Sequence, residues 1–350
     1  MSTAVGARDL RDALEGMEEP GAAELVDALK TVLREDDPAL WAYELVPLKH
    51  RVYRLRLGAS RTFDSLILKR SEPSIAEVNR LVAERWLPAL DLGGHCAPLL
   101  ATTADRQGRW FWQIYEDLGE HTLERDSEPA HVAGTIDLIA TLHLRGMGHA
   151  LLPEVRHHTK DLGLAFFISN VNDSIRGLEE IGRDRTGSRE LHALADGLLA
   201  RLRPLVVDLS GRAEVFKRAA GPDTILHGDL WRANAFARVS GERVDVRLID
   251  WDHVGVGPLT YDLSTFLLRF PPAERSWILH RYRDRLSVAG RALPSEGDLN
   301  TLFETAEYAR FANRLSWAAM AWLHEGAGWV PIELAEIERW FEDWRPTLTE

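Results

Sequence analysis

The run Ile225-Leu226-His227-Gly228-Asp229-Leu230-Trp231-Arg232-Ala233-Asn234 and, 16 residues after its amide, Asp250 in Leu248-Ile249-Asp250-Trp251-Asp252 set carboxylates and an amide behind two short apolar segments, 224–226 and 244–250. Magnesium takes hard oxygen donors in near-octahedral geometry, usually one or two protein groups completed by phosphate oxygens and water. Asn234 and Asp250 suit that pair. Asp229, five residues before the amide, suits a different task, accepting the proton of an attacking hydroxyl. Val244, Val246, Leu248 and Asp250 share one strand phase. The carboxylate therefore ends a row that points into an apolar interior, and it needs a cation beside it. Taken singly, each motif reads better as structure, a tight turn for His227-Gly228-Asp229 and a helix cap or arginine partner for Asp250; in order, each at a strand end, they favour chemistry.

The elements that position these groups follow from periodicity. After Pro20, the spacing of Ala22, Leu25, Val26, Leu29 and Leu33 predicts an amphipathic helix. Strands are predicted over 41–46, 52–57 and 63–69, with turn residues at Gly58–Arg61, and together they predict an antiparallel sheet. Helix is predicted over 75–90 and a further strand over 110–115. From about residue 130 helical spacing dominates, and a stripe of Leu299, Leu302, Phe303, Ala306 and Ala309 runs up to the stops Gly326 and Gly328. The class is α+β, with an N-terminal part over 1–119 and a mainly helical part over 120–350.

Composition sets outer bounds. The chain has 350 residues, 45% of them hydrophobic and 27% charged, as in ordinary globular proteins. Its net charge of −12 argues against nucleic acid and anionic membranes as partners. No uncharged apolar stretch reaches the length of a membrane span, and the start lacks a signal-peptide pattern, so a cytoplasmic protein is expected. Lysine is scarce, with Lys30, Lys49, Lys69, Lys160 and Lys217 against 42 Lys and Arg in total. Lys69 closes a strand whose Leu66 to Leu68 are apolar on both faces, which predicts a semi-buried ammonium.

The pattern H-G-D-x-x-x-x-N, followed by an apolar strand ending in Asp, resembles the aminoglycoside phosphotransferase and choline kinase superfamily, whose fold is similar to that of protein kinases. The match lies at His227, Gly228, Asp229, Asn234 and Asp250. The resemblance implies a protein-kinase-like bilobal fold, ATP and Mg2+ as cofactors, and a small hydroxylated substrate. It implies Asp229 as catalytic base, Asn234 and Asp250 as metal ligands, Lys69 on the nucleotide phosphates and Glu77, or Glu84 one face-repeat on, orienting that lysine. It further implies that Glu116 and Leu118 offer backbone groups to adenine, that Ile249 packs near the base, and that Asp262 in Gly257-Pro258-Leu259-Thr260-Tyr261-Asp262-Leu263 is structural. The loop Pro47-Leu48-Lys49-His50-Arg51 has no glycine to cradle phosphates; its cations either supply charge instead or form a solvated basic turn.

The leading expectation is an ATP- and magnesium-dependent phosphotransferase acting on a small-molecule hydroxyl, either of an antibiotic, giving resistance, or of a sugar, choline-like or nucleoside metabolite. Residues 270–350 carry 13 acidic and nine basic side chains, which does not suggest an intensely acidic pocket for a polycation. Six of the 12 tryptophans lie in the same stretch, where packing is the simpler role. Two other classes compete: a D-x-D phosphatase with Asp250 as nucleophile, which lacks the later alternating strands it would need, and a catalytically dead kinase-like binding module, though no ligand or base is missing.

Overall fold

The computed structural model describes residues 19–34, 43–57, 63–184, 186–241 and 243–348. The turn expected at Gly58–Arg61, the first residues of the strand expected from Trp41 and the N-terminal start lie outside them. Helix α1 (Ala22–Leu33) precedes β1 (Tyr43–Lys49), β2 (Val52–Leu57) and β3 (Ser65–Ser71). Then come α2 (Pro73–Leu81), continued by a π turn over Val82–Trp86, and the strands β4 (Leu99–Ala104) and β5 (Phe111–Glu116). Next are α3 (Pro129–Gly146), α4 (Leu152–His158), β6 (Lys160–Asp161), α5 (Leu164–Arg183), α6 (Arg189–Val207) and α7 (Leu209–Ala219). The strands β7 (Asp223–Leu226), β8 (Ala235–Ser240), β9 (Arg243–Leu248) and β10 (Gly255–Pro258) lead to α8 (Thr260–Leu268), α9 (Pro272–Val288), α10 (Glu296–Glu325) and α11 (Val330–Asp343). The class is α+β. The chain forms two compact units, residues up to His131 with Ala233–Asp252, and Val132–Arg232 with the residues from His253 onward.

In the first unit five antiparallel strands stand in the order β1-β2-β3-β5-β4. Alternation sorts their side chains. Leu55, Leu66, Leu68, Trp112 and Ile114 are fully buried on one face, where Leu25 and Leu29 of α1 pack against them. Val52, Arg54, Ile67, Lys69 and Tyr115 take the alternate positions and line a cavity of about 300 Å³. The hairpin β8–β9, registered from Ala235 opposite Leu248 to Ser240 opposite Arg243, joins this unit through bridges from Leu248 to Cys96 and from Phe236 to Thr122.

In the second unit β10 lies between β6, parallel to it, and β7, antiparallel. Its main core is helical, with Leu178, Leu198, Leu315 and Ile337 fully buried among α5, α6, α10 and α11. The whole predicted stripe of α10 is buried, and Gly326 caps the helix in the left-handed region at φ 61°. The tryptophans divide: Trp340 stacks on Phe311 with ring centres 3.6 Å apart, whereas Trp317 and Trp329 are exposed. Among the described residues no helix is long and apolar enough to cross a membrane.

Leu29→Ala removes a fully buried side chain from the α1–sheet contact. The expected loss is about 2–5 kcal/mol, read as a lower urea midpoint.

Candidate active site

In the first unit β3 runs two residues beyond Lys69, which therefore lies within the strand rather than closing it, and its side chain is only 12% exposed. An ammonium so placed requires anions, and two stand within reach. Its Nζ donates to Asp250 Oδ1 at 2.7 Å and to Asp252 Oδ1 at 2.5 Å. Burial opposes the charge on Lys69, the two carboxylates outweigh it, and the pKa stands above the ordinary lysine value. Burial likewise opposes the charge on Asp250, but Lys69 and Lys49 hold its carboxyl well below the usual carboxylate range. Asn79 of α2 fixes the second aspartate, donating from Nδ2 to Asp252 Oδ1 at 2.7 Å.

Asp250 has φ 65°, a left-handed conformation that few residues other than Gly, Asn and Asp accept. It lies two residues past the end of β9, and the Ile249 N–H between them donates to the Asn234 carbonyl at 2.9 Å, which holds the two segments together. Asn234, Ile249 and Asp250 all line the 300 Å³ cavity. Glu116, Asp117 and Leu118 form another part of its wall. Arg54 pins that segment: its Nε pairs with Asp117 Oδ2 at 2.7 Å and its Nη2 donates to the Gly119 carbonyl at 2.9 Å. The Tyr115 hydroxyl is buried in the wall without a hydrogen-bond partner, and burial, with the nearby Asp252 charge, raises its pKa.

The second unit holds the other half of the predicted set. Asp229 follows β7 through the turn His227-Gly228, and the fully buried Asp262 of α8 builds that turn. Asp262 accepts from the His227 N–H at 2.7 Å, from the Gly228 N–H at 2.8 Å and from His143 Nε2 at 3.2 Å. Burial works against its charge, yet these donors win and lower its pKa. Gly228 sits at φ 83°, and a Cβ there would fall 1.8 Å from the His253 carbonyl oxygen, so no other residue fits without rebuilding the turn. Asp229 lines a second cavity, of about 410 Å³, with Trp231, Tyr261, Arg269, Arg310 and Trp340.

A family model described as the phosphotransferase enzyme family matches residues 47–296, which is 250 of the 350 residues. The chain belongs to that family. Its fold is similar to that of an ethanolamine kinase from Plasmodium vivax, at 12% identity and TM-score 0.58, covering 96% of this chain and 95% of that one. It is similar also to an aminoglycoside 2'-phosphotransferase-IIIa solved with GDP, at 14% identity and TM-score 0.58, covering 91% and 98%. A spectinomycin phosphotransferase solved with ADP and spectinomycin gives 11% identity and TM-score 0.56, covering 93% and 95%. No curated protein matches the chain by sequence. The protein-kinase-like architecture expected from the sequence is thus the one present.

In this phosphotransferase the lysine's anionic partners differ from the expected ones. Glu77 bonds Arg80 at 2.8 Å and Glu84 bonds the same guanidinium at 2.9 Å, while Lys69 takes Asp250 and Asp252. In the glycine-free loop, Lys49 Nζ reaches Asp250 Oδ2 at 2.5 Å, and Arg51 is turned onto the Trp110 ring, 4.2 Å from its centre. The residues suited to nucleotide and magnesium fit that use: a carboxylate and an amide supply hard oxygens beside a lysine, and the buried Tyr115 hydroxyl offers an unused polar group. Among the described residues there is no cluster of three or more His, Cys, Asp or Glu that could hold a metal; magnesium ordinarily completes a small protein ligand set with phosphate oxygens and water. Sequence reasoning missed Asn79 and Arg54, which act across strands and helices far apart in the chain.

Asp262→Asn leaves one acceptor oxygen for three donors and should destabilise the fold. Because the folded pKa of Asp262 lies below the unfolded value of about 3.9, its stabilising contribution is present above that pH and is lost as pH falls further. Melting curves from pH 7 to pH 3 should therefore show the gap between wild type and variant narrowing only at the acid end.

Proposed function

We propose that this chain is an ATP- and magnesium-dependent phosphotransferase acting on a hydroxyl of a small molecule, in the cytoplasm where ATP is available. The observation that carries the reading is the buried Lys69–Asp250 pair beside Asn234 in a cavity whose wall includes the 116–118 segment. Lys69 would bind the nucleotide phosphates, and Asn234 with Asp250 would hold magnesium. Backbone groups of Glu116 and Leu118 would take adenine, with Ile249 against the ring. When bound, the metal neutralises charge on the phosphates as transfer proceeds. Displacing Lys49 from Asp250 frees an oxygen for that purpose and leaves a second ammonium for phosphate, the task a glycine-rich backbone performs in other kinases.

Asp229 would orient the acceptor hydroxyl and take its proton, and Asp262 keeps that aspartate in place by holding the turn before it. Nucleotide and metal thus fall to the first unit and the acceptor to the second. A metabolite kinase and an antibiotic kinase both satisfy this arrangement; the similar folds include an ethanolamine kinase and a spectinomycin phosphotransferase.

Asp229→Asn should fold and bind ATP but transfer roughly 10²–10⁴-fold more slowly in an ADP-release assay over hydroxylated antibiotics and metabolites. Turnover at the wild-type rate would reject the base assignment.

A further inference from the structure

The cavity that Asp229 lines contains four cations, Lys160, Arg269, Arg310 and Arg314, against three acids, Asp229, Glu307 and Glu336. Most of these charges are committed to one another. Glu307, 1% exposed, accepts from Arg310 at 2.6 Å and from Ser264 and Thr265, and Arg310 also donates to the Tyr261 carbonyl at 2.6 Å. Arg314 pairs with Glu333 at 2.8 Å and Glu336 at 3.8 Å.

Arg269 stands apart from this pairing. Its guanidinium lies 3.3 Å from the centre of the Trp231 ring, and its Nε is buried with no hydrogen-bond partner. Stacking satisfies the face of a guanidinium but leaves its in-plane donors free. Burial depresses the pKa of Arg269, and Arg310 adds to that effect while Glu307 and Asp229 oppose it, so the guanidinium is partly desolvated among charges of both signs. A buried donor left unmade costs free energy, and the planar fork of Arg matches an oxyanion by two parallel hydrogen bonds. A polycation in the same space would meet these guanidinium groups at close range.

We propose that the acceptor is a hydroxy compound bearing an acid group, a carboxylate or a phosphate, which Arg269 binds in the cavity lined by Asp229 while Trp231 holds the guanidinium flat. The proposal rests on the phosphotransferase reading above and specifies its acceptor. Cationic aminoglycosides are disfavoured by the same charges.

The test is ADP release by the full chain, with ATP and magnesium, over matched pairs: gluconate and sorbitol, glycerate and glycerol, pantothenate and panthenol, glucose 6-phosphate and glucose, with spectinomycin and streptomycin as cations. At least one acid should exceed its neutral partner and both antibiotics by about tenfold or more in kcat/KM. The carboxylate pairs and the phosphate pair separate the two sources of the oxyanion. For that acid Arg269→Gln should raise KM by about tenfold or more with the effect falling on KM rather than kcat, and Arg269→Lys should recover part of it. Neutral or cationic acceptors turned over as well as the acids, an unchanged KM in Arg269→Gln, or no acid turned over by a chain that binds Mg–ATP would each overturn the proposal and leave the phosphotransferase reading standing. A chain that binds no Mg–ATP removes both.

Discussion

The ammonium of Lys69 projects from a central strand into a largely apolar wall, and an unpaired cation there would lose several kcal/mol of solvation. Asp250 and Asp252 supply the missing charge, and this constrains much of the first unit. Asp250 must turn back from β9 in a left-handed conformation, Asp252 must be held by Asn79, and β8 and β9 must pair so that Ile249 reaches Asn234. The opposite face of the same sheet is closed by α1, so one strand separates a dry core from a charged cavity by alternation alone.

The second unit solves a similar problem with one buried carboxylate. Asp262 has no exposure, yet three donors surround it, and two of them are the backbone N–H groups that shape the His227-Gly228 turn. A structural charge thereby fixes a functional one, because Asp229 leaves that turn directly. His143 extends the network to the Tyr282 hydroxyl at 2.7 Å, tying α3 and α9 to the same point. Truncating one member of such a network strands the others without partners, which makes its members costly to replace.

Much of this was legible locally. The helical spacing from Ala22 to Leu33, the stripe from Leu299 to Ala309 and the phase that placed Asp250 at the end of an apolar row depend on neighbours in sequence. So did the reading of Lys69 as semi-buried, from its apolar flanks and the scarcity of lysine. The partners of these groups were less legible, because they are set by contacts across the chain. Helical phase brought forward both Glu77 and Glu84 and could not rank Asn79, whose amide meets Asp252 173 positions away. Arg54 was one of 37 arginines until strand pairing set it beside Asp117. Arg269 gained meaning only when Trp231 was seen to cover its face.

Calorimetry of ATP binding with and without magnesium, comparing wild type with Asp250→Ala in the absence of acceptor, shows whether the Lys69–Asp250 pair with Asn234 forms a nucleotide and magnesium site. Magnesium-dependent binding is expected of the wild type, and binding about tenfold or more weaker of the variant, which keeps Asp252 as a partner for Lys69 and so remains folded. Equal binding by the two proteins, or binding indifferent to magnesium, would contradict such a site.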